Sequence, residues 1–319
     1  MSSWSPATSL LKAHSSLGAG VTGNLFMEPI ALALQVYAVG GTPDSGDVEA
    51  QSNPFRKVTG GPGLGGIVTV TDTWSEVSSL TTPRFGHAVS VGSDHRLYAI
   101  GGRSNPGAEL LKKVEAFGFT PKPGWAAAAS MSIGRERAAA ALGHDGKIYV
   151  AGGSNASNVE TSSPLDTLEA YDATTNTWKT LKHMQVARDC PAAATGTDGK
   201  IYVMGGLGTS AFLSSVEAYD PATNSWAYVA SMITARSGLG AVMAPDGQIY
   251  AIGGTHSGAE ALATVEVYNF TSKSWSAGLS LATARANLAV AVGPSGLIFA
   301  IGGNTSFLGP TASVEALSV

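Results

Sequence analysis

Lys200-Ile201-Tyr202-Val203-Met204-Gly205-Gly206 decides the reading of this chain, because variants of it occur six times. The other copies end at Gly40-Gly41, Gly101-Gly102, Gly152-Gly153, Gly253-Gly254 and Gly302-Gly303. Each is an apolar, β-branched run with an aromatic three residues before the first Gly: Tyr37, Tyr98, Tyr149, Tyr202, Tyr250 and Phe299. Successive first glycines are 61, 51, 53, 48 and 49 residues apart. A fixed period of this size marks an array of similar units.

Further residues keep register with the diglycine. Trp74, Trp125, Trp178, Trp226 and Trp275 each lie 27 residues before the next first Gly. Arg84, Arg135, Arg188, Arg236 and Arg285 each lie 17 before it. Between diglycine and Trp sits another strand pattern, as in Leu168-Glu169-Ala170-Tyr171 and Val216-Glu217-Ala218-Tyr219. Turn signals such as Asp145-Gly146, Asp198-Gly199 and Asp246-Gly247 separate the runs. Each unit therefore reads as four short strands. One such sheet cannot bury both faces alone, whereas units packed radially can.

Composition agrees. Apolar residues make up 44% and charged residues 13%, the latter about half the usual share of roughly 25%. Gly is 40 of 319 residues, well above the usual share of about 7%. These proportions oppose disorder and helical bundles. The net charge of −4, without a basic run, excludes a general nucleic-acid surface. No apolar run reaches the length of about eighteen residues that spans a membrane. Met1-Ser2-Ser3-Trp4 lacks the features of a secretory leader. A single Cys190 cannot form an internal disulfide. A cytoplasmic location is the expectation.

The diglycine, Tyr and Trp pattern at a period near 50 resembles the Kelch repeat over nearly the whole chain. The resemblance implies an all-β fold, a six-bladed Kelch β-propeller forming a single domain over 1–319. The last repeat stops at Val314-Glu315-Ala316-Leu317, with no Trp strand after it, while Trp4 stands without a preceding repeat. The N-terminal strand is therefore expected to complete the last blade and close the ring. The first repeat is irregular: Gly23 stands where a ladder Arg is expected, and 42–66 reads as a long insertion that could form a lid.

Several features carry no separate function. Gly61-Pro62-Gly63-Leu64-Gly65-Gly66 matches a dinucleotide fingerprint, but it precedes a strand instead of following one. The six histidines show no metal spacing. The ladder arginines and Glu115, Glu169, Glu217, Glu266 and Glu315 repeat too strictly for a site. They are expected to be scaffold, with the arginines satisfying carbonyls between blades. Neither a cofactor nor a metal is expected.

In Kelch adaptors the ligand face is lined by residues just after the ladder Arg, by the residue after the diglycine, and by the following loop. Carried over here, the resemblance implies Phe85, Arg103, Glu136, Arg137, Ser154, Asn155, Asp189, Cys190, Ser237, His256, Asn287 and Asn304. Charge gathers at Arg103, Glu136, Arg137 and Asp189. The leading expectation is a ligand- or protein-binding propeller whose arginines take a small polar or acidic ligand, or an acidic peptide segment. The alternative is a small enzyme, such as a sugar mutarotase or lyase, with Glu136 and Asp189 as acid and base beside Arg137. Copper Kelch oxidases have seven blades and an added domain, and Kelch specifier proteins carry an E-x-x-x-D-x-x-x-H iron motif. This chain shows neither pattern.

Overall fold

Alternation of small and branched residues makes each apolar run a strand, and the turns between runs stack the strands side by side. The structure is a computed structural model that describes residues 3–7, 9, 78–104, 108–118, 124–156, 163–257, 260–293, 296–305 and 309–319, together with strand backbone at 14–15, 18–23, 33–39, 42–43, 55–59 and 74–75. It is an all-β propeller. Among the described residues no helix is long and apolar enough to cross a membrane.

Five four-stranded sheets are described with their side chains, against the six blades expected. Each is named here by its first glycine. The Gly101 blade runs Ala88–Val91, Leu97–Ile100, Val114–Gly118, Gly124–Ala128, and the Gly152, Gly205 and Gly253 blades repeat this order. The Gly302 blade takes Ala289–Val292, Ile298–Ile301 and Val314–Leu317, then Ser5–Ala7 from the other end of the chain. There Ser5 pairs with Ala316 and Ala7 with Val314. In the Gly40 repeat, Gly18–Gly23, Ala33–Val39, Phe55–Thr59 and Trp74–Ser75 pair in that order. Phe55–Thr59 thus places a strand inside the stretch 42–66; residues 44–54 and 60–66 of that stretch lie outside the described residues.

Burial follows the radial order. Innermost strands other than Gly240–Met243 alternate buried and half-buried residues, second strands are wholly buried, and most fourth-strand residues are exposed or half-buried. Aromatics join neighbouring blades: Tyr98 stacks on Tyr171 at 5.2 Å, Tyr149 on Tyr219 at 5.7 Å and Tyr202 on Tyr268 at 5.7 Å. Such tilted contacts suit the quadrupoles of paired rings.

The diglycine is a steric requirement. Gly205 has φ +62°, and a Cβ there would stand 2.5 Å from the Arg236 carbonyl oxygen of the next blade. Its neighbour Gly206 donates its N–H to that same oxygen at 2.8 Å. Gly102, Gly153 and Gly254 do likewise to Arg135, Arg188 and Arg285.

The ladder arginines are fully buried. Arg236 donates through Nη1 to the Gly253 and Thr264 carbonyls, and through Nη2 to Glu266 at 2.6 Å. Glu266 also accepts the N–H groups of Ile233 and Thr234. Arg84, Arg135, Arg188 and Arg285 make the corresponding pairs with Glu115, Glu169, Glu217 and Glu315. The carbonyls reached lie in the arginine's own blade, not between blades as expected. The reason is length: Nη1 spans from the blade's entry loop to the ends of its two middle strands, while the backbone diglycine makes the link to the next blade. Burial holds these five guanidinium groups below their ordinary pKa, and the paired carboxylates oppose that shift.

The fourth-strand tryptophans form an outer series of clips. Trp125 donates its indole N–H to Ser78 O at 2.9 Å, Trp178 to Ala129 O at 2.7 Å and Trp226 to Lys182 O at 2.7 Å. Trp275 reaches Ala230 O at 2.8 Å, and Trp4 reaches Leu279 O at 2.7 Å. Each acceptor stands four residues after the preceding Trp.

Candidate functional site at the mouth of the ring

Two residues past each ladder Arg, the chain turns back at the rim. The five described residues there all have positive φ: Gly86 at 61°, Arg137 at 56°, Cys190 at 51°, Gly238 at 61° and Asn287 at 52°. Left-handed backbone suits Gly and Asn, and is uncommon for Arg and Cys. Such strain persists where the surroundings over-determine it. Here backbone bonds between neighbouring rim residues do so. Arg137 N–H donates to Gly86 O, Gly238 N–H to Cys190 O at 3.0 Å, and Asn287 N–H to Gly238 O at 2.7 Å. These residues surround a cavity of about 120 Å³, floored by small and apolar side chains such as Ala138, Pro191, Leu239 and Leu288.

Besides Cys190, the ionisable side chains of this lining are Arg137 and His87. The Arg137 side chain is 24% exposed. Nε donates to Asp189 Oδ1 at 3.0 Å and Nη2 to Asp189 Oδ2 at 2.9 Å, a bidentate pair. Nη1 lies 3.0 Å from Glu136 Oε1. Behind it, Arg103 Nε donates to Glu136 Oε2 at 3.1 Å. Arg103 and Glu136 are both shut off from solvent. Burial would lower the Arg137 pKa, but the Asp189 hydrogen bond and the nearby negative charges outweigh it, so the group stays charged. The Cys190 thiol is pushed up to about 12, first by burial and then by Asp189. It is therefore a neutral thiol at ordinary pH.

The expected set separates into two places. Arg137, Cys190 and Asn287 reach the mouth. Glu136 and Asp189 sit beneath it as partners of Arg137. Phe85, Ser237 and Asn304 are held in backbone bridges with Arg103, Thr255 and Ala286. Ser154 is fully buried, and its Oγ accepts the N–H groups of Ala156 and Ser163. His256 is exposed. Arg103 and Asn155 border a separate groove of about 460 Å³ together with Lys112, Ser132 and Ile133. There Arg103 is a staple: Nη1 donates to Ala108 O and Nη2 to Ala156 O, tying two loops together. The residue after the diglycine thus stands one layer out from the axis. Sequence reasoning placed Gly86 and Gly238 just after their ladder arginines on this face but left them out of the site set, although two glycines and an Asn in one register column are the mark of positive φ.

The Kelch-repeats domain model described as KLHDC2/KLHL20/DRC7 matches residues 67–232 and 126–303. Kelch-like protein 40 of Xenopus laevis is 32% identical over 137 residues, covering 43% of this chain and 20% of that protein. The putative F-box/kelch-repeat protein At1g61540 of Arabidopsis thaliana is 30% identical over 128 residues, 37% of this chain and 30% of the relative. Alpha-scruin of Limulus polyphemus is 31% identical over 133 residues, 42% of this chain and 14% of the relative. The chain thus spans less than a third of the length of the curated relatives it matches. The solved structure titled "Structure of YjhT" superposes with a TM-score of 0.75 over 98% of this chain and 97% of that one, at 14% identity. That likeness concerns the fold alone. With strand order, diglycine geometry and the family model in agreement, the chain belongs to the Kelch-repeat family.

Proposed function

We propose that this chain is a binding propeller that receives a segment of a partner protein in the mouth around Arg137. The observation that carries the reading is the fixed guanidinium. Asp189 and Glu136 hold it at the rim, partly exposed, in a cavity sized for one functional group. A group oriented before the ligand arrives loses little freedom on binding. The same geometry weighs against acid–base chemistry. Glu136 is walled in by Arg103 and Arg137, and both Asp189 oxygens face Arg137, so neither carboxylate is presented to a substrate. We read the scaffold as a single six-bladed domain closed by its N-terminal strand. The pairing of Ser5–Ala7 with Val314–Leu317, the Trp4 clip and the four paired strands of the Gly40 repeat support this.

The test is a peptide-display selection on the wild type, followed by affinity measurements on Arg137→Ala. Charge-assisted hydrogen bonds contribute about 1.5–3 kcal/mol, so selected peptides should lose about 10- to 100-fold in affinity, measured at a temperature at which the variant, which leaves Asp189 and Glu136 without their partner and should melt lower, is still folded. Binders that ignore Arg137 and compete with one another elsewhere would overturn the mouth as the site.

A further inference from the structure

The tyrosine pairs that join neighbouring blades mark three equivalent grooves: Tyr98 with Tyr171, Tyr149 with Tyr219 and Tyr202 with Tyr268. The residue two places past the second Tyr of each pair differs: Ala173, Pro221 and Phe270. Beside Tyr202 and Tyr268, the Phe270 ring stands edge-on to both, 5.4 Å from the first and 5.2 Å from the second. Beside Tyr98, the Arg96 guanidinium lies over the ring, 5.5 Å from its centroid. The middle pair is different. Pro221 stands where the next blade has Phe270, and a groove of about 290 Å³ remains, walled by Tyr149, Tyr219 and Pro221 with Ala170 and Leu181. It lies between the Gly152 and Gly205 blades, at the far end of the strands from Arg137: Arg137 precedes Ala139–Leu142, and Asp145 of the groove follows it. The chain itself thus shows what fits against such a pair, namely one aromatic ring.

The strand register marks the same groove a second time. In line with Tyr149 and Ala170 on the fourth strand stands Lys179. The other blades carry Ala126, Ala227, Ser276 and Ser5 at this place. The charged side chains of the groove are Asp145, Lys147, Asp172 and Lys179, and Thr177 and Asn224 complete its polar lining. These charges are not equally engaged. Asp145 Oδ2 accepts from both the Lys147 ammonium and the Tyr149 hydroxyl at 2.8 Å. Asp172 Oδ1 accepts the N–H and the hydroxyl of Thr174, and Asp172 lies one row away from Lys179, opposite Thr177. Among the described residues the lysine ion pairs are Lys147–Asp145 and Lys200–Asp198. Lys179 is therefore the groove's cation without a counter-ion, and its ammonium carries three donors.

We infer that this groove is a second ligand site, independent of the mouth, which takes a small aromatic carboxylic acid: the ring edge-on to Tyr149 and Tyr219 as Phe270 is to its own pair, the carboxylate on Lys179. Three probes test this: phenylacetate, its neutral counterpart phenylacetamide, and cyclohexylacetate, which keeps the charge and loses the aromatic ring. They are titrated into protein with isotopically labelled tyrosine while the ring resonances of Tyr149 and Tyr219 are followed. Phenylacetate should move both resonances and saturate. It should bind about two- to tenfold more tightly than cyclohexylacetate, the worth of an aromatic pair beyond its area. It should bind about two- to fivefold more tightly than phenylacetamide, as for an exposed ion pair. That second advantage should shrink with salt and vanish in Lys179→Ala.

Two variants at one position place the ligand. Pro221→Phe supplies in cis the ring that the next blade already carries, and should abolish saturable binding. Pro221→Ala installs the residue of the preceding blade, leaves the groove open and should keep it. Both residues already stand at this position in neighbouring blades, so both variants should fold. Binding that survives Pro221→Phe, or that is lost equally in Pro221→Ala, would overturn the groove as the site. Equal affinity for cyclohexylacetate would mean that any apolar body fills it, which overturns the aromatic reading. Equal affinity for phenylacetamide would remove Lys179 from the site and overturn the acid. If no probe moves either resonance, the inference falls, while the reading of the mouth around Arg137 stands or falls on its own peptides.

Discussion

Arg236 and Glu266 show how a buried ion pair acts in this fold. Both are screened from water, and Glu266 also holds two loop N–H groups. Removing one partner leaves the other charge buried and uncompensated, which costs about 3–5 kcal/mol. Arg236→Met should therefore lower unfolding free energy by that order in chemical denaturation, and a loss below about 1 kcal/mol would class the pair with surface bridges. Gly205→Ala belongs to the same scale. Its positive φ and the 2.5 Å approach to Arg236 O leave no space for a methyl group. The substitution should destabilise by more than the roughly 0.4–1 kcal/mol that Gly→Ala contributes at compatible sites. These residues were legible in the sequence because they recur in register. The conformation of Arg137 was legible only through its register with Gly86, Gly238 and Asn287, because φ leaves no trace at a residue that is neither Gly nor Asn. The solvent-excluded position of Glu136 was not legible, since its one-residue offset from the ladder Arg says only that it is near the rim.

At the level of elements, the strands and their order could be read from period and alternation, and the structure bears out the all-β propeller. The indole clips could not be read, because their acceptors are carbonyls on whatever residue stands four past the preceding Trp: Ser78, Ala129, Lys182, Ala230 and Leu279. Spacing is conserved inside the chain while side-chain identity is not. Trp226→Phe keeps the ring and deletes the donor. It should cost about 1 kcal/mol, the net worth of one hydrogen bond, read as a drop in melting temperature. A neutral result would assign the Trp to packing alone.

Across the whole molecule, stability should fall on both sides of neutral pH. Glu115, Asp94 and Asp145 sit below their ordinary values of 4.5 and 3.8. In each, burial acts upward and hydrogen bonds outweigh it: Thr81 and Arg84 at Glu115, Tyr98 and Arg96 at Asp94, Lys147 and Tyr149 at Asp145. A depressed folded-state pKa gives stability that is present above the unfolded value and is lost as pH falls through the folded one. The acid limb should thus begin near pH 4.5. Tyr98, Tyr149, Tyr202 and Tyr250 are raised above 10.0, by burial first and by their Asp partners as well. Their contribution is complete below pH 10 and declines as pH rises beyond it. Melting temperatures measured across pH would show both limbs, and a flat profile below about pH 4 would contradict the first.

The pairing of Ser5–Ala7 with Val314–Leu317 has a mechanical consequence. Ser5 stands opposite Ala316 and Ala7 opposite Val314, so the two strands run antiparallel with both chain ends leaving from the same side. Tension applied between the ends loads this ladder like a zipper. Its hydrogen bonds break in succession and do not share the load as they would in shear. In a single-molecule pulling experiment the first event should be a low-force peel of this short strand together with the Trp4 clip. The remaining blades should then yield at higher force.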